Sequence, residues 1–212
     1  MNKPTRSLEL IVWGGLALVM VALFGAYAVS RFAANRNALP MLGNVSDFAL
    51  TNQFGRVVTR ADLLGQVWVA DIIFTRCPGP CATMSKVMRE LQDALPPNEP
   101  IQLVSLTADP EFDTPEVLKK YGEGLGAMPG HWQFLTGKKL EVYRLATRGL
   151  LLAVDEVKAD ERTSPEDLFV HSTLFVVVDK QGRIRGSFDG TESSSRRKIL
   201  EVIRALLKEK QP

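Results

Sequence analysis

The two cysteines of the chain, Cys77 and Cys81, have the side chains best suited to chemistry. They lie in segment 75–81 (TRCPGPC), between a predicted buried strand and a predicted helix. The free N–H groups and positive dipole end of a helix N-terminus stabilise a thiolate, and Arg76 adds positive charge. A thiolate is both a nucleophile and a metal ligand, so the segment favours redox or metal chemistry. The spacing predicts both sulfurs on one side of the first helical turn, where they could form a disulfide or hold one ion.

Two structural roles are alternatives to a chemical role for Cys77 and Cys81. A disulfide across so short a loop removes little entropy from the unfolded chain and contributes roughly 2 kcal/mol before strain. Inert buried thiols are disfavoured, because prolines and a glycine in the same segment keep it out of regular packing. With only 2 cysteines in 212 residues, a disulfide-rich scaffold and a four-thiolate zinc module are excluded. We therefore predict that the pair is functional.

His171 is the third candidate, because it precedes the predicted strand 174–178. A histidine at a strand entrance is by itself most often structural. In thioredoxin-type folds, however, the segment entering this strand lies against the cysteine-bearing turn; a cis-proline usually stands there, where this chain has VHST (170–173). A neutral imidazole beside two thiolates makes a three-coordinate set. Such a set favours copper, in either oxidation state, or zinc over hard cations.

The remaining candidate ligands are assigned structural roles. Met84 and Met88 are soft thioethers near the cysteines, but their spacing fits the core face of the predicted helix. His131 has no comparable context and is expected at the surface or in packing. The acidic residues before the helix start at Thr114 are expected to solvate a loop and to complement the helix dipole; they are Asp109, Glu111 and Asp113.

The strands that must position these residues are read from apolar, β-branched runs. The run 67–74 (VWVADIIF) resembles a strand covered on both faces, although Asp71 interrupts it. A charged stretch, 155–168, contains Pro165 and predicts an exposed loop whose flexibility could bring His171 to the cysteines. The other predicted strands are 101–106, 132–135, 174–178 with 184–188 as a hairpin, and a further hairpin in 48–59.

Helices are predicted from apolar residues at helical spacing and from caps. One starts at Thr114-Pro115 and is expected to end near Tyr121, at Gly122. The others are predicted from Met84 to Leu95, over 138–147, and from Ile199 to Leu206. Strands alternating with helices indicate an α/β domain with a central sheet and helices on both faces.

An N-terminal segment is long and apolar enough to cross a membrane. Residues 10–29 carry no charge and would span roughly 30 Å as a helix, the thickness of a bilayer core. A cleaved signal peptide is the alternative, because 26–28 (AYA) resembles a cleavage site, but the apolar region of such peptides is usually shorter. We therefore predict an N-terminus at 1–9, an uncleaved anchor at 10–29, a linker at 30–44 and a domain at 45–212. Basic residues flank the anchor on both sides, so charge leaves its orientation undecided.

The overall composition narrows the class of protein. Hydrophobic residues make up 45% of the chain, which excludes collagen-like, mucin-like and wholly disordered proteins. The formal net charge is only +2, which argues against a dedicated nucleic-acid binder. No nucleic-acid partner is expected.

Four blocks, in order and at matching spacing, resemble the signatures of the Sco/SenC family. They are IIFTRCPGPCATM, LVSLTADPEFDTPEVLKKY, WQFLTG and FVHSTLFVVVDKQG, and the resemblance runs from about Asp47 to the C-terminus. Members are membrane-anchored, thioredoxin-fold copper proteins that help assemble the dinuclear copper centre of cytochrome c oxidase subunit II. The resemblance implies that Cys77, Cys81 and His171 occupy the copper-ligand positions. Gly79 departs from the acidic residue that many members carry after the Cys-Pro pair.

The resemblance implies a copper metallochaperone that passes Cu(I) or Cu(II) to a thiolate-containing acceptor. It also implies a cytoplasmic N-terminus and a domain on the opposite side of the membrane. The segment before the anchor is too short for an organellar presequence, so a bacterial inner membrane with the domain in the periplasm is expected. The alternative is a thiol–disulfide oxidoreductase in which Cys77 reacts first and Cys81 resolves. A thiol peroxidase would need one especially acidic cysteine, which nothing in the sequence singles out.

Overall fold

The structure, a computed structural model, describes residues 6–36, 39–77, 79–158, 160–162 and 168–209. The chain divides into two compact units, one up to Leu39 and one from Pro40 onwards. The first unit is helix α1 (Arg6–Arg36), which extends beyond the predicted span at both ends and into the predicted linker. Within α1, Glu9–Tyr27 has a mean hydropathy of 2.2 and is long enough to cross a membrane, and none of it is buried. A signal sequence satisfies the same criteria of length and composition.

The second unit combines an eight-stranded sheet, a two-stranded sheet and five helices among its described residues. Its elements in chain order are β1 (Gly43–Asn44), β2 (Ala49–Asn52), β3 (Val57–Thr59), α2 (Arg60–Leu63), β4 (Val67–Ile73), α3 (Cys81–Ala94), β5 (Ile101–Thr107), α4 (Pro115–Leu125), β6 (Trp132–Thr136), α5 (Lys139–Arg144), a π-helical turn (Leu145–Gly149), β7 (Val154–Glu156), β8 (Phe169–His171), β9 (Leu174–Val178), β10 (Arg183–Asp189) and α6 (Ser195–Lys208).

The large sheet has the strand order β1-β10-β9-β4-β5-β6-β2-β3. Strands β4, β5 and β6 are parallel, whereas β9 runs antiparallel to β4. Every residue of β4 is buried, which confirms the prediction of a strand covered on both faces. Since successive side chains of a strand point to opposite faces, two layers of core flank β4. Ala70 and Ile72 belong to the layer that also contains Val142 and Leu145, from α5 and the π-helical turn.

The predicted strands and hairpins are present, with small changes in their bounds. Strands β2 and β3 form the predicted hairpin, and β9 and β10 form the second one. The first prediction that fails concerns the start of the stretch 155–168, which is not a loop: β7 pairs with β8 in a separate small sheet, with Val154 opposite His171. Residues 159 and 163–167 of this stretch, with Pro165, lie outside the described residues. The second lies at the start of the domain, because Gly43 and Asn44, assigned to the linker, pair with β10.

The predicted end of α4 at Gly122 is wrong, because the helix continues to Leu125 and ends at Gly126. Gly126 has a φ of 70°, the left-handed conformation in which a C-terminal glycine is favoured. Gly122 serves packing instead: a Cβ there would lie 2.8 Å from Cε2 of Phe134 in β6. The absence of a side chain lets α4 approach the sheet closely. The predicted start is correct, since the hydroxyl of Thr114 accepts a hydrogen bond from the N–H of Val117.

Candidate metal centre

The two cysteines follow the carboxyl end of β4 along the chain. Cys77 is in the turn between β4 and α3, and its N–H donates to the carbonyl of Phe74 (3.2 Å). Cys81 is the first residue of α3 and is only 1% exposed. The prediction that both sulfurs lie on one helical turn is therefore wrong, since only Cys81 is helical. Cys77 is partly exposed, so the pair has one accessible and one covered sulfur.

Strand pairing brings His171 to the same edge of the sheet. Because β9 is antiparallel to β4, its start at Leu174 lies beside the end of β4. His171 is the last residue of β8, three residues before β9, and the N–H of Ser172 donates to the carbonyl of Ala153 (2.8 Å). The imidazole is already at the cysteines in this structure.

The three side chains form a compact set of donors. The sulfurs of Cys77 and Cys81 and the ring nitrogen of His171 all lie within 4.8 Å of one another. Sγ of Cys81 is 3.1 Å from Nε2 of His171. Nδ1 of His171 lies 3.0 Å from the carbonyl oxygen of Ser172, which can only accept, so in the neutral ring the proton sits on Nδ1. The lone pair of Nε2 therefore faces the sulfurs.

The pKa values of the two thiols are shifted in opposite directions. A hydrogen bond from the Cys81 thiol lowers the pKa of Cys77 to about 4, although partial burial acts in the opposite direction. The same hydrogen bond, together with burial, raises the pKa of Cys81. Cys77 is thus the thiolate of the pair at neutral pH, and Cys81 retains its proton until that proton is displaced. This difference suits a site in which the accessible sulfur of Cys77 is the first to bind a metal ion or to attack a disulfide.

The aromatic ring of Phe74 packs against the imidazole of His171. The ring of Phe74 meets that of His171 edge to face, with centroids 5.7 Å apart and an interplanar angle of 89°. Phe74 also packs against Phe169 at 5.2 Å. Burial would lower the pKa of His171, but hydrogen bonds to Cys77 and to the Ser172 carbonyl raise it on balance.

An additional acid, Asp71, lies beneath the site in the middle of β4. Its side chain is 0% exposed, and neither carboxylate oxygen meets hydrogen-bond geometry with another described residue. Burial raises the pKa of Asp71 to about 7, while the nearby Ser105 hydroxyl and the charge of His171 act in the opposite direction. In the sequence, the only signal was a charged residue in an otherwise apolar strand.

The other candidate ligands are not part of the set. Met84 and Met88 are fully buried, which confirms their assignment to the core. His131 precedes β6 and so lies at the opposite edge of the parallel strands from Cys77. The expectation that the acidic cluster solvates a loop is wrong for two of its members, because Asp109 and Asp113 are buried and bind the turn before Cys77.

The donor set can hold one soft metal ion or react as a dithiol. Two sulfurs and one imidazole nitrogen match the ligand preferences of copper, and zinc accepts the same atoms. The positive charge of Arg76 does not oppose a cation strongly, because its guanidinium is 2.5 Å from the carboxylate of Asp109 and lies over the ring of Phe112. The residues present therefore fit a copper ion on their own chemistry.

Comparison with known proteins identifies the family. The SCO1/SenC family profile matches residues 40–208. The chain belongs to the SCO1/SenC family. The SCO1 protein homolog of Bacillus subtilis is 30% identical over 168 residues, which is 78% of this chain and 84% of the relative. A protein of Stutzerimonas stutzeri, named as a candidate copper-binding protein, is 31% identical and covers 81% of this chain and 83% of its own length.

Solved structures of family members confirm the thioredoxin-like fold. A SCO1/SenC family lipoprotein from Bacillus anthracis matches with a TM-score of 0.70 at 27% identity, covering 81% of this chain and all of that structure. BsSco, described as a cytochrome c oxidase assembly protein with a disulfide switch, matches with a TM-score of 0.66 at 26% identity, covering 82% and 100%. Copper-bound ScoI of Bradyrhizobium japonicum shares the fold, with a TM-score of 0.60 at 22% identity, covering 77% and 99%.

Proposed function

We propose that this SCO1/SenC member is a metallochaperone that binds one copper ion through Cys77, Cys81 and His171. The observation that carries the proposal is the position of the three donor atoms, all within 4.8 Å of one another. The names of relatives support it, since one is described as a candidate copper-binding protein and another as a cytochrome c oxidase assembly protein. The copper ion is cargo, to be delivered to the dinuclear copper centre of cytochrome c oxidase subunit II.

Capture and release follow from the unequal exposure of the two sulfurs. Cys77, accessible and already a thiolate, makes the first bond to copper. Cys81 then loses its proton and, with Nε2 of His171, completes the set. Delivery is ligand exchange, in which acceptor thiolates replace the chaperone's sulfurs one at a time and the ion keeps its oxidation state. The acceptor must approach from the side of Cys77, because Cys81 is covered.

The proposed setting is a bacterial inner membrane with the domain in the periplasm. Residues 10–29 would be the anchor and 1–9 a cytoplasmic N-terminus, and the copper-binding domain would include Gly43 and Asn44, which pair with β10. The apolar window Glu9–Tyr27 supports the anchor, because none of it is buried in the protein and it would otherwise face water. The description of the Bacillus anthracis relative as a lipoprotein supports membrane attachment.

A second candidate function is reduction of an acceptor disulfide. The low pKa of Cys77 beside a protonated Cys81 favours it, as does the disulfide switch named for BsSco. The Cys77 thiolate would attack one acceptor sulfur and release the other as a thiolate, giving a mixed disulfide. Cys81, after losing its proton, would attack Cys77 and release the second acceptor thiolate. The pair is oxidised by two electrons as the acceptor is reduced, in one stoichiometric turnover.

Titration of the full-length, reduced chain in detergent tests the proposal. Cu(I) is added in competition with a chromophoric chelator, and we expect one tightly held ion per chain. The double variant Cys77→Ser/Cys81→Ser should lose this binding. His131→Ala is the matched control, because it removes the other histidine of the chain at the opposite edge of the sheet, and it should bind like the wild type. Absence of binding combined with rapid dithiol exchange would favour the reductase instead.

A further inference from the structure

The loop between β5 and α4 holds the turn that carries Cys77. In this loop Asp113 is 0% exposed, and its carboxylate accepts hydrogen bonds from the N–H of Thr75 (3.2 Å) and from the Thr75 hydroxyl. The hydroxyl of Thr107, at the end of β5, donates to the same carboxylate (2.5 Å). One buried carboxylate thus connects the end of β5 to the residue two positions before Cys77.

A second acid of the loop holds the next residue. Asp109 is 5% exposed, and its Oδ2 is 2.5 Å from Nη2 of Arg76. The Arg76 guanidinium also lies 3.9 Å from the ring centroid of Phe112, in the same loop. The hydroxyl of Thr107 ties the two acids together, because it accepts from the N–H of Asp109 (2.9 Å) while it donates to Asp113.

The position of Cys77 depends on these contacts from the loop more than the positions of Cys81 and His171 do. Cys81 belongs to α3 and His171 to β8, so hydrogen-bonded ladders fix their backbones. Cys77 lies outside regular secondary structure and is followed by a Pro-Gly-Pro run that has only one backbone N–H. Its position relative to the other sulfur therefore depends on how firmly the residues before it are held.

We propose that Asp113 is a positioning residue for the site: through Thr75 it fixes the distance and direction of the Cys77 sulfur relative to Cys81 and His171. The inference rests on the proposed function where it concerns copper, and on the dithiol alone where it concerns redox chemistry. Its cause is geometric. A carboxylate accepts from both the N–H and the hydroxyl of Thr75. An asparagine amide is neutral and has one acceptor oxygen, so it loses the charge-assisted part of this hold and the Thr75 hydroxyl must turn to accept from the amide NH2 instead.

The test compares four variants of the full-length chain in detergent. Asp113→Asn weakens the hold from the loop, and Thr75→Val removes the hydroxyl from the turn with little change in shape. Thr75→Ser keeps the hydroxyl and is the conservative rescue. Thr114→Ala is the control for stability, because it removes the N-cap of α4 beside Asp113 without touching Thr75. Cu(I) affinity, the sulfur-to-Cu(II) charge-transfer spectrum and the thiol–disulfide midpoint potential are measured for each.

We expect Asp113→Asn and Thr75→Val to lower Cu(I) affinity about tenfold and to shift the charge-transfer band. Thr75→Ser and Thr114→Ala should remain within about twofold of the wild type, with an unchanged band, even though Thr114→Ala lowers the melting temperature. The idea is overturned if Thr75→Val matches the wild type in affinity and spectrum, or if Thr114→Ala has as large an effect as Asp113→Asn. Should Asp113→Asn not fold, the contrast between Thr75→Val and Thr75→Ser decides.

Failure of the proposed function is distinguishable from failure of this inference. If the wild type binds no copper, the metallochaperone proposal fails, and the positioning role is then judged from the midpoint potential. Thr75→Val should change the equilibrium constant for closing the Cys77–Cys81 disulfide about tenfold, which shifts the midpoint potential by about 30 mV. Thr75→Ser should leave the midpoint potential unchanged. Equal potentials for the two variants would refute the positioning role.

Discussion

At the scale of single residues, the three candidate ligands of a soft metal ion differ in exposure and in protonation. Cys77 is accessible and ionised, Cys81 is covered and protonated, and His171 presents Nε2 because its other nitrogen faces the Ser172 carbonyl. Two thiolates already satisfy Cu(I), which accepts few ligands, whereas Cu(II) prefers additional nitrogen donors. The imidazole should therefore matter more for the oxidised ion than for the reduced one.

His171→Ala is expected to weaken Cu(II) binding by about 100-fold and Cu(I) binding by less than about tenfold, because the two sulfurs remain. Chelator competition under anaerobic and aerobic conditions measures both affinities, and His131→Ala serves as the control with neither affinity changed. Equal losses for the two ions would contradict the division of roles.

At the scale of elements, the approach of α4 to the sheet depends on a helix glycine without a side chain. Gly122 faces Phe134 of β6, and an added Cβ would lie 2.8 Å from the ring. Gly124, two residues later in the same helix, has nothing within 4 Å of such an atom. The two positions share a helix and a residue type but differ in what they meet. This contrast separates packing from helix propensity.

Gly122→Ala should lower the free energy of unfolding by about 1–3 kcal/mol, because Phe134 must shift to admit the methyl group. Gly124→Ala should raise it by about 0.5–1 kcal/mol, because alanine loses less backbone entropy in a helix. Chemical denaturation followed by near-ultraviolet circular dichroism measures both. If the free energy of unfolding changed in the same direction in both variants, contact with Phe134 would not be what excludes a side chain at Gly122.

At the scale of the whole molecule, the central sheet encloses a carboxyl group under the metal centre. Asp71 is fully buried in β4, and its pKa is raised to about 7 from an ordinary value of 3.8. Between these values the folded protein binds a proton that the unfolded chain does not. The free energy of unfolding contributed by this group is therefore greatest below about pH 4, falls as the pH rises toward 7, and is constant above that.

Asp71→Asn should remove this contribution, because the amide stays neutral at every pH. Relative to the wild type, the variant should be more stable at pH 8 by roughly 2–4 kcal/mol and should lose that advantage by pH 4. Thermal unfolding of the two full-length proteins in parallel, from pH 4 to 8, gives the difference and cancels the other titrating groups. A difference that does not vary with pH would contradict a protonated Asp71 in the folded state.

Much of the fold could be predicted because its signals are local. The apolar runs of β4, β5 and β9 and the periodicity of α3 and α6 depend only on neighbouring residues, and each element was found in place. The errors came where tertiary contacts outweighed local preference. Gly122 reads as a helix end, but its role is to admit Phe134; the stretch after Val154 reads as a loop, but its first residues pair with β8.

The residue types alone determined which chemistry was available, because two thiols and an imidazole have the same ligand preferences in any fold. Only the tertiary structure decided that Asp109 and Asp113 are buried supports of the cysteine turn, since their partners Thr75 and Arg76 lie more than 30 positions away in the chain. It also decided which sulfur is accessible. Hydrogen bonds between distant segments depend on strand order and on the exclusion of water, and neither can be read from the spacing of residues along the chain.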